Sequence, residues 1–240
     1  MPVVCLMPTY RKPLCVAQSV RMFLDQDYEG EVWLYIYDDD GWFEQSLADF
    51  GNKRVLIDVV SSREPSIGQK YNKMVRRLWA LFKRDFPLVV WDDDDLYHAN
   101  HVSSYARLMP ARKWVHPHVV ESDYGGAVHL EHTFGRFHGA LGLMYSAWEE
   151  VGGWVEDQRA DFDQEMIRRL RAKFGPPGEP GVTYRFRWAT APGPHCEGLM
   201  GDLDWYRKVE EHHPKPLVGP RTIGELLSYG ARELEVGTVP

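Results

Sequence analysis

The sequence predicts an α/β domain with a mostly parallel central sheet, helices on both faces and a small antiparallel section. Three observations lead there. In the first part of the chain, apolar runs of strand length alternate with stretches of helical period, as in β-α-β crossovers. After Asp95 the alternation gives way to short strand-like pieces that follow one another closely. Clusters of aspartate also close two of the apolar runs, the end of a strand at which open α/β sheets bind ligands.

Val3 to Met7 is a continuous apolar run, the pattern of a strand covered on both faces. Leu14 to Leu24 carries Val16, Val20, Phe23 and Leu24 at helical spacing. Glu31 to Tyr37 is β-branched and aromatic and runs into Asp38-Asp39-Asp40-Gly41, and Val55 to Val60 reads as a third strand. Ser66 is placed to cap a helix reaching Phe82, with Ile67, Tyr71, Met74, Val75, Leu78, Trp79 and Phe82 in one stripe. Phe86 to Trp91 is a fourth strand.

The second part of the chain holds strand-like pieces at Val119–Ser122, Ala127–Glu131 and Leu141–Tyr145, then helices near Ala147–Val151 and from Asp161 to Lys173. Gly175 to Gly181 is rich in glycine and proline and reads as a surface loop; Thr183 to Ala189 alternates like a strand. From Gly201 the tail suggests two helices separated by Pro214 to Pro220, the second opening on the capping-box pattern Thr222-Ile-Gly-Glu225. The simplest division is one domain over 1-200 with a helical appendage over 201-240.

The 240 residues, 44% of them apolar, suffice for a full core, which excludes a disordered chain. A formal charge of -7 argues against a nucleic-acid binder built on a basic surface. Three cysteines, Cys5, Cys15 and Cys196, lack metal or redox spacing and fit a reducing compartment. The first residues are too short and uncharged a segment for a signal peptide, and no apolar stretch approaches the ~20 residues of a membrane span. The expectation is a soluble, cytoplasmic protein, with peripheral membrane contact left open. Oligomeric state has no signature in the sequence.

Four consecutive aspartates, Asp92 to Asp95, follow the fourth strand directly. Like charges this close raise one another's pKa unless something positive joins them, and the usual remedy is a divalent cation held by hard oxygen ligands. If the strand persists, Asp92 and Asp94 face one side and Asp93 and Asp95 the other. An Asp-x-Asp pair then offers oxygens to one Mn2+ or Mg2+ ion, and such an ion in turn holds a diphosphate. Asp38 to Asp40 closes a second strand and is expected along the same sheet edge. Asp161 and Asp163 open a helix. The plainer alternatives are a solvated acidic loop for the first cluster and capping or dipole roles for the last two.

Taken in order, the motifs resemble those of family-2 glycosyltransferases with the GT-A fold, a Rossmann-like single domain. Pro8-Thr9-Tyr10-Arg11 is similar to the family's opening motif. Ser19, Leu24 and Gln26-Asp27-Tyr28 resemble its first helix and "Q-x-Y" exit. Asp38-Asp39-Asp40-Gly41 resembles "D-D-G", and Gly68-Gln-Lys70-Tyr-Asn72 resembles "G-x-x-x-A-R-N". Trp91-Asp-Asp-Asp-Asp-Leu96 looks like "L-D-x-D-D", Val151-Gly-Gly-Trp-Val-Glu156 like "V-G-G-F-D-E", and Asp163-Gln-Glu-Met-Ile-Arg168 like "E-D-x-x-L-x-x-R". Each piece alone is weak; their shared order and spacing over roughly residues 3 to 170 makes the match fairly specific.

The resemblance implies a metal-dependent inverting transferase using a nucleotide-diphosphate sugar, uridine-linked. It divides the domain into a nucleotide-binding half over about 1-97 and an acceptor half over about 98-200. Thr9, Tyr10 and one of Asp38 or Asp39 would line the nucleobase and ribose pocket. Pro8, Arg11, Lys70, Asn72, Asp92 and Asp93 would complete the donor site. Asp92 and Asp94 would be the metal pair, Asp94 the direct ligand, with His195 as a third ligand. Asp163 would be the catalytic base. Phe162 stands where the family has glutamate, which makes Asp161 the alternative base in a shifted register; Asp163 is preferred because Glu165, Met166 and Arg168 then fall into step.

Other residues invite weaker readings. Lys70, Lys73, Arg76 and Arg77 form a basic face that could approach phosphates, and Arg63 could do the same from its loop. His116, His118, His129 and His132 lack the spacing of a zinc site. His138 and Trp154 are candidates for bordering an acceptor pocket. The acceptor is unspecified: glycan, lipid, protein, small molecule or modified nucleic-acid base, the last kept open by basic helix faces at Arg76–Arg77 and Arg168–Arg171. Two rival functions are a nucleotidyltransferase, disfavoured by the absence of glycine from Met7 to Pro13, and a non-catalytic nucleotide-sugar or metal-binding module.

Overall fold

A computed structural model describes residues 1–124, 127–157, 161–187 and 219–236. His195 and the first tail helix lie outside the described residues, as do Cys196 and the last two residues of the Thr183–Ala189 strand. The elements are β1 (Val3–Thr9), α1 (Pro13–Leu24), β2 (Val32–Asp38), β3 (Ser46–Phe50), β4 (Lys53–Val59), α2 (Ile67–Phe82), β5 (Pro87–Val90) and β6 (Leu96–Tyr97). There follow α3 (His101–Leu108), β7 (Trp114–Val115), β8 (Val119–Tyr124), β9 (Ala127–His132), a 3-10 turn (His138–Ala140), β10 (Gly142–Met144), α4 (Tyr145–Val151), α5 (Phe162–Phe174) and β11 (Tyr184–Arg187). The helix Ile223–Val236 is α6.

Seven strands form the main sheet in the order β3-β4-β2-β1-β5-β10-β7. β4, β2, β1 and β5 run parallel, while β3, β10 and β7 add antiparallel edges. A second, four-stranded sheet has the order β6-β11-β8-β9. Every residue of β1 and β2 is buried, which explains why both read as unbroken apolar runs. The chain winds outward from β1 through β2 to β4, then α2 carries it back across to β5. Right-handed crossovers in opposite directions place α1 and α2 on opposite faces. The reversal falls between β1 and β5, so the crevice at the carboxyl ends of those two strands is the switch point where such sheets take ligands.

α2 begins as its sequence indicates: the Ser66 hydroxyl accepts a bond from the Gln69 N–H at 3.1 Å. α6 opens on the expected capping box, in which Glu225 N–H donates to Thr222 Oγ1 and the Glu225 carboxylate accepts from Thr222 N–H, both at 3.2 Å. Ile223 and Leu226 are buried, and α6 packs on α1. Trp42 Nε1 ties the same segment to the loop after β2 by donating to the Pro220 carbonyl at 2.8 Å.

Two expectations need correction. The Gly175–Gly181 stretch is not only a surface loop. Gly178 is buried and bridges to Val115, donating to the Trp114 carbonyl and accepting from His116 N–H, so it covers the otherwise open edge of β7. The strand before the aspartates ends at Val90, and Asp93 and Asp94 lie in a turn. The expected alternation of Asp92 and Asp94 against Asp93 and Asp95 is therefore absent.

Candidate active site

β1 delivers Thr9, Tyr10, Arg11 and Lys12 to the crevice, β2 delivers Asp38, Asp39 and Asp40, and β5 delivers the aspartate turn. A relay of hydrogen bonds joins the three tips. Asp39 Oδ1 accepts from the Lys70 ammonium at 2.6 Å, and Lys70 also donates to the Thr9 carbonyl at 3.1 Å. Thr9 Oγ1 donates to Asp93 Oδ2 at 2.7 Å. Lys12 Nζ lies 3.5 Å from Asp93 Oδ1 and forms a tight ion pair with Asp94 Oδ2. Lys12 is the residue before Pro13, which occupies the first turn of α1; that position aims it at the tips of β1 and β5.

The neighbouring aspartates have separate tasks. Asp38 turns both oxygens inward, accepting from Asp40 N–H at 3.0 Å and Phe43 N–H at 2.9 Å. Asp39 accepts from Glu64 N–H at 2.9 Å in addition to Lys70. Asp40 is the half-buried carboxylate of the three, pushed up by burial and by Asp38 and Asp39, with Arg11 and Arg63 opposing. Arg63 stacks on the Tyr10 ring at 4.1 Å. Arg11 adopts a left-handed φ of 55° in the same loop. Pro8 is buried inside β1, opposite Tyr37.

Within the turn, Asp92 Oδ1 accepts from the Tyr71 hydroxyl at 2.9 Å, and Asp92 N–H donates to the Tyr97 hydroxyl at 2.6 Å. Asp95 accepts from the Tyr184 hydroxyl and, at 3.1 Å, from Arg187 N–H. Arg187 Nε donates to the Asp94 carbonyl, while its buried Nη2 has no partner among the described residues. Burial, then the neighbouring carboxylates, raises the Asp92 pKa well above the usual range; burial raises Asp93, against the pull of Lys12.

The chemistry of this turn fits a divalent cation. Lys70 pairs with Asp39, Lys12 with Asp93 and Asp94, and Arg187 Nε donates to the Asp94 carbonyl. The donors are all hard oxygens. Gly139 keeps the space beside Asp92 Oδ2 open: a Cβ there would stand 2.7 Å from that oxygen. Among the described residues no three His, Cys, Asp or Glu side chains form a ready-made metal cluster, and Lys12 occupies the Asp93–Asp94 side.

An aromatic wall leads from Asp92 to α5. Tyr71 stacks on Trp154 at 4.8 Å and meets His138 edge-on at 4.9 Å. Trp154 Nε1 donates to His138 Nε2 at 2.8 Å, so the imidazole carries its proton on Nδ1. Burial pulls the His138 pKa down to about 3. Both residues are buried and form a floor rather than an open rim. Phe162 meets His138 at 5.4 Å, which accounts for the departure from the glutamate motif: the ring seats the start of α5 on the wall. Asp163 follows, half-buried, with Oδ1 lacking a hydrogen-bond partner among the described residues. Burial, and to a smaller extent Asp161, raises its pKa. Asp161 instead pairs with Arg168 at 2.9 Å on the surface.

Asn72 lies under the Gly152-Gly153-Trp154 segment, away from any ligand-facing surface. Its Nδ2 donates to the Trp154 carbonyl at 2.7 Å and to Glu156 Oε1 at 2.9 Å; its Oδ1 accepts from Trp154 N–H at 2.9 Å and Trp148 Nε1 at 3.1 Å. A Cβ on Gly153 would lie 2.6 Å from Asn72 Oδ1, so the glycine lets the two backbones close. Asn72→Ala leaves several buried groups unpaired at about 1–3 kcal/mol each. A net loss on the order of 3 kcal/mol is expected in urea unfolding.

The basic face of α2 does not stand open to phosphates. Lys73 pairs with Glu64, Arg76 with Glu156 and Arg77 with Asp58. Sequence reasoning missed Lys12, Tyr71, Gly139 and Arg187 in this crevice, and named Asp40 only as part of the Asp38–Asp40 cluster. For Lys12 the signal was Pro13 just after it; Arg187 stood near the end of an alternating run. Tyr71 looked like plain core.

This sheet topology is shared with solved structures that include a mannosyltransferase. No family model and no curated protein matches the chain. The crystal structure of S. aureus TarS 1-349 in complex with UDP-GlcNAc superposes with a TM-score of 0.59 at 10% identity, covering 86% of this chain and 64% of that one. TarS 1-349 alone gives 0.58 at 8% identity, over 78% of this chain and 60% of that one. The mannosyltransferase PcManGT from Pyrobaculum calidifontis, in complex with GDP-Man and Mn2+, gives 0.56 at 14% identity, over 99% and 65%. The chain thus spans less than two thirds of each of these chains. No helix among the described residues is long and apolar enough to cross a membrane.

Proposed function

We propose that the protein is a metal-dependent glycosyltransferase that moves a sugar from a nucleotide-diphosphate donor to an acceptor hydroxyl. The observation that carries this reading is a convergence at the switch point. The β1 loop, the β2 aspartates and the Asp92–Asp95 turn meet there, and an aromatic wall leads on to Asp163, whose buried Oδ1 has no hydrogen-bond partner among the described residues. Similar folds solved with UDP-GlcNAc, or with GDP-Man and Mn2+, support the same ligand class.

Tyr10, Arg63 and Asp40 take the nucleoside, and Asp92 with Asp94 holds the divalent ion. When bound, that ion neutralises charge on the departing diphosphate. Arg187, with a buried N–H lacking a partner among the described residues, offers a further donor there. Asp163 accepts the proton of the acceptor hydroxyl as its oxygen attacks the anomeric carbon and the bond to the diphosphate breaks. A single base opposite the leaving group gives inversion, the logic that also governs inverting glycoside hydrolases. Trp154 and His138 keep water from the floor of the site.

The test is a panel of nucleotide sugars with and without Mn2+, read by thermal shift and slow donor hydrolysis. The cognate donor at 100 times its Kd stabilises by about 2.7 kcal/mol, and should do so only with metal. Released nucleoside diphosphate supports sugar transfer; released pyrophosphate instead marks nucleotidyl transfer. No shift with any donor, with or without metal, sinks the reading.

A further inference from the structure

We propose that Arg221 is a positioning residue for the donor: together with Trp42 it clamps the loop after β2 in the shape that presents Asp40 to the nucleoside. The inference rests on the donor reading above and concerns the same site. Its basis is the pattern of bonds around Phe43. The Phe43 N–H donates inward to Asp38 Oδ2 at 2.9 Å, while Asp38 Oδ1 accepts from Asp40 N–H at 3.0 Å. The turn that carries Asp40 is thus closed from inside by Asp38. The residues on either side of Phe43 are held by the tail. Trp42 Nε1 donates to the Pro220 carbonyl at 2.8 Å, Arg221 Nε donates to the Trp42 carbonyl at 3.1 Å, and Glu44 N–H donates to the Arg221 carbonyl at 2.9 Å. The Arg221 guanidinium also lies over the Trp42 ring at 5.3 Å.

The clamp has a firm base. Glu225 Oε2 accepts from the N–H groups of both Arg221 and Thr222, at 2.7 and 3.2 Å, in the capping box that starts α6. Ile223 and Leu226 are buried and α6 packs on α1. Gly219 lies against Pro13, the first residue of α1: a Cβ on the glycine would stand 2.9 Å from Pro13 Cγ. One short segment therefore touches both the start of α1, directly after the β1 loop, and the loop after β2. In the donor reading those two loops flank the nucleoside. Arg221 itself is exposed, and its bonds go to Trp42, Glu44 and Glu225, so it acts on the donor through the loop. Where the loop keeps its shape only part of the time, donor affinity falls in proportion to the competent fraction. Loss of the clamp therefore weakens donor binding and leaves the chemical step unchanged.

The test titrates UDP and GDP, with and without Mn2+, into wild type, Arg221→Ala, Arg221→Lys and Trp42→Phe by calorimetry, and measures kcat and KM with the matching nucleotide sugar. Arg221→Ala is expected to raise the nucleotide Kd and the donor KM about ten-fold, as when one molecule in ten keeps the loop in shape, with kcat within a few-fold of wild type. Arg221→Lys keeps a cation over the ring and an N–H for the Trp42 carbonyl, and should recover most of the affinity. Trp42→Phe removes the bond to Pro220. Combined with Arg221→Ala it should cost less than the product of the two single changes, because both break one clamp. The wild type carries a second readout in case a variant folds poorly. Binding and loop shape are linked in both directions, so bound nucleotide should slow amide exchange at residues 42–44 and across 219–226. An unchanged Kd in Arg221→Ala, a loss confined to kcat, or exchange over 219–226 indifferent to bound nucleotide overturns the clamp; wild type that still binds nucleotide then leaves the transferase reading standing. Wild type that binds neither nucleotide nor any nucleotide sugar, with or without metal, overturns both.

Discussion

Asp163→Asn is expected to lower turnover by roughly 100- to 10,000-fold, the usual contribution of a positioned general base, with donor-induced thermal shift retained. The expectation comes from the site rather than from helix geometry alone. Asp163 accepts backbone N–H bonds at the start of α5, as a capping carboxylate does, but its Oδ1 is buried without a partner among the described residues. The acid-base consequences separate a base from a cap. Burial raises the Asp163 pKa, so kcat should fall as pH drops through a value above the ordinary 3.8. The same shift means the native state holds this proton more tightly than the unfolded chain. Its stability cost is full above the folded pKa and vanishes below the unfolded one. Asp163→Asn removes that cost, so at neutral pH the variant should melt no lower than wild type while being nearly inactive. A variant that melts lower and keeps its turnover would make Asp163 structural. Asp161→Asn, which loses the surface pair with Arg168, should leave turnover within a few-fold.

The parallel half of the sheet was legible because its physics is local. β1, β2 and β5 are covered on both faces, and that demand writes itself as unbroken apolar runs. The capping Ser66 and the Thr222–Glu225 box were legible for the same reason. What escaped is held by distant partners. β3, Ser-Leu-Ala-Asp-Phe, is a half-exposed edge that exists by pairing with β4. β6 and β7 are two residues each, and α3 mixes His101, Ser103 and Ser104 into a weak stripe. In the crevice, the sequence placed the carboxylates at the strand tips but left their orientation open. The alternation expected of Asp92 to Asp95 required the strand to persist, whereas the turn after Val90 hands Asp93 and Asp94 together to Lys12. Asn72 and Lys70 were read as ligand-facing because they match a motif. Their polar atoms are engaged inside the protein, and both act by placing the elements around the crevice.

Lys70→Met should be the most destabilising single change at the crevice, at about 3–5 kcal/mol, the range for removing one partner of a buried pair. Lys70 is 6% exposed and Asp39 2% exposed, so water cannot replace the lost ammonium. The substitution also frees the Thr9 carbonyl, loosening the loop that presents Tyr10 and, through Thr9 Oγ1, Asp93. Charge and position can be separated by adding Asp39→Asn. With both charges gone the double variant should recover most of the stability, since a buried ion pair is worth little against neutral groups of similar size. The coupling between the two sites should then be about 2–3 kcal/mol in a denaturation cycle, as for residues sharing one ion pair. Donor binding should not recover with it, because neither variant restores the tie from α2 to Thr9. Recovery of both together would mean that the ammonium acts through its charge alone; a Lys70→Met protein as stable as wild type would mean that the pair does not hold the strand tips at all.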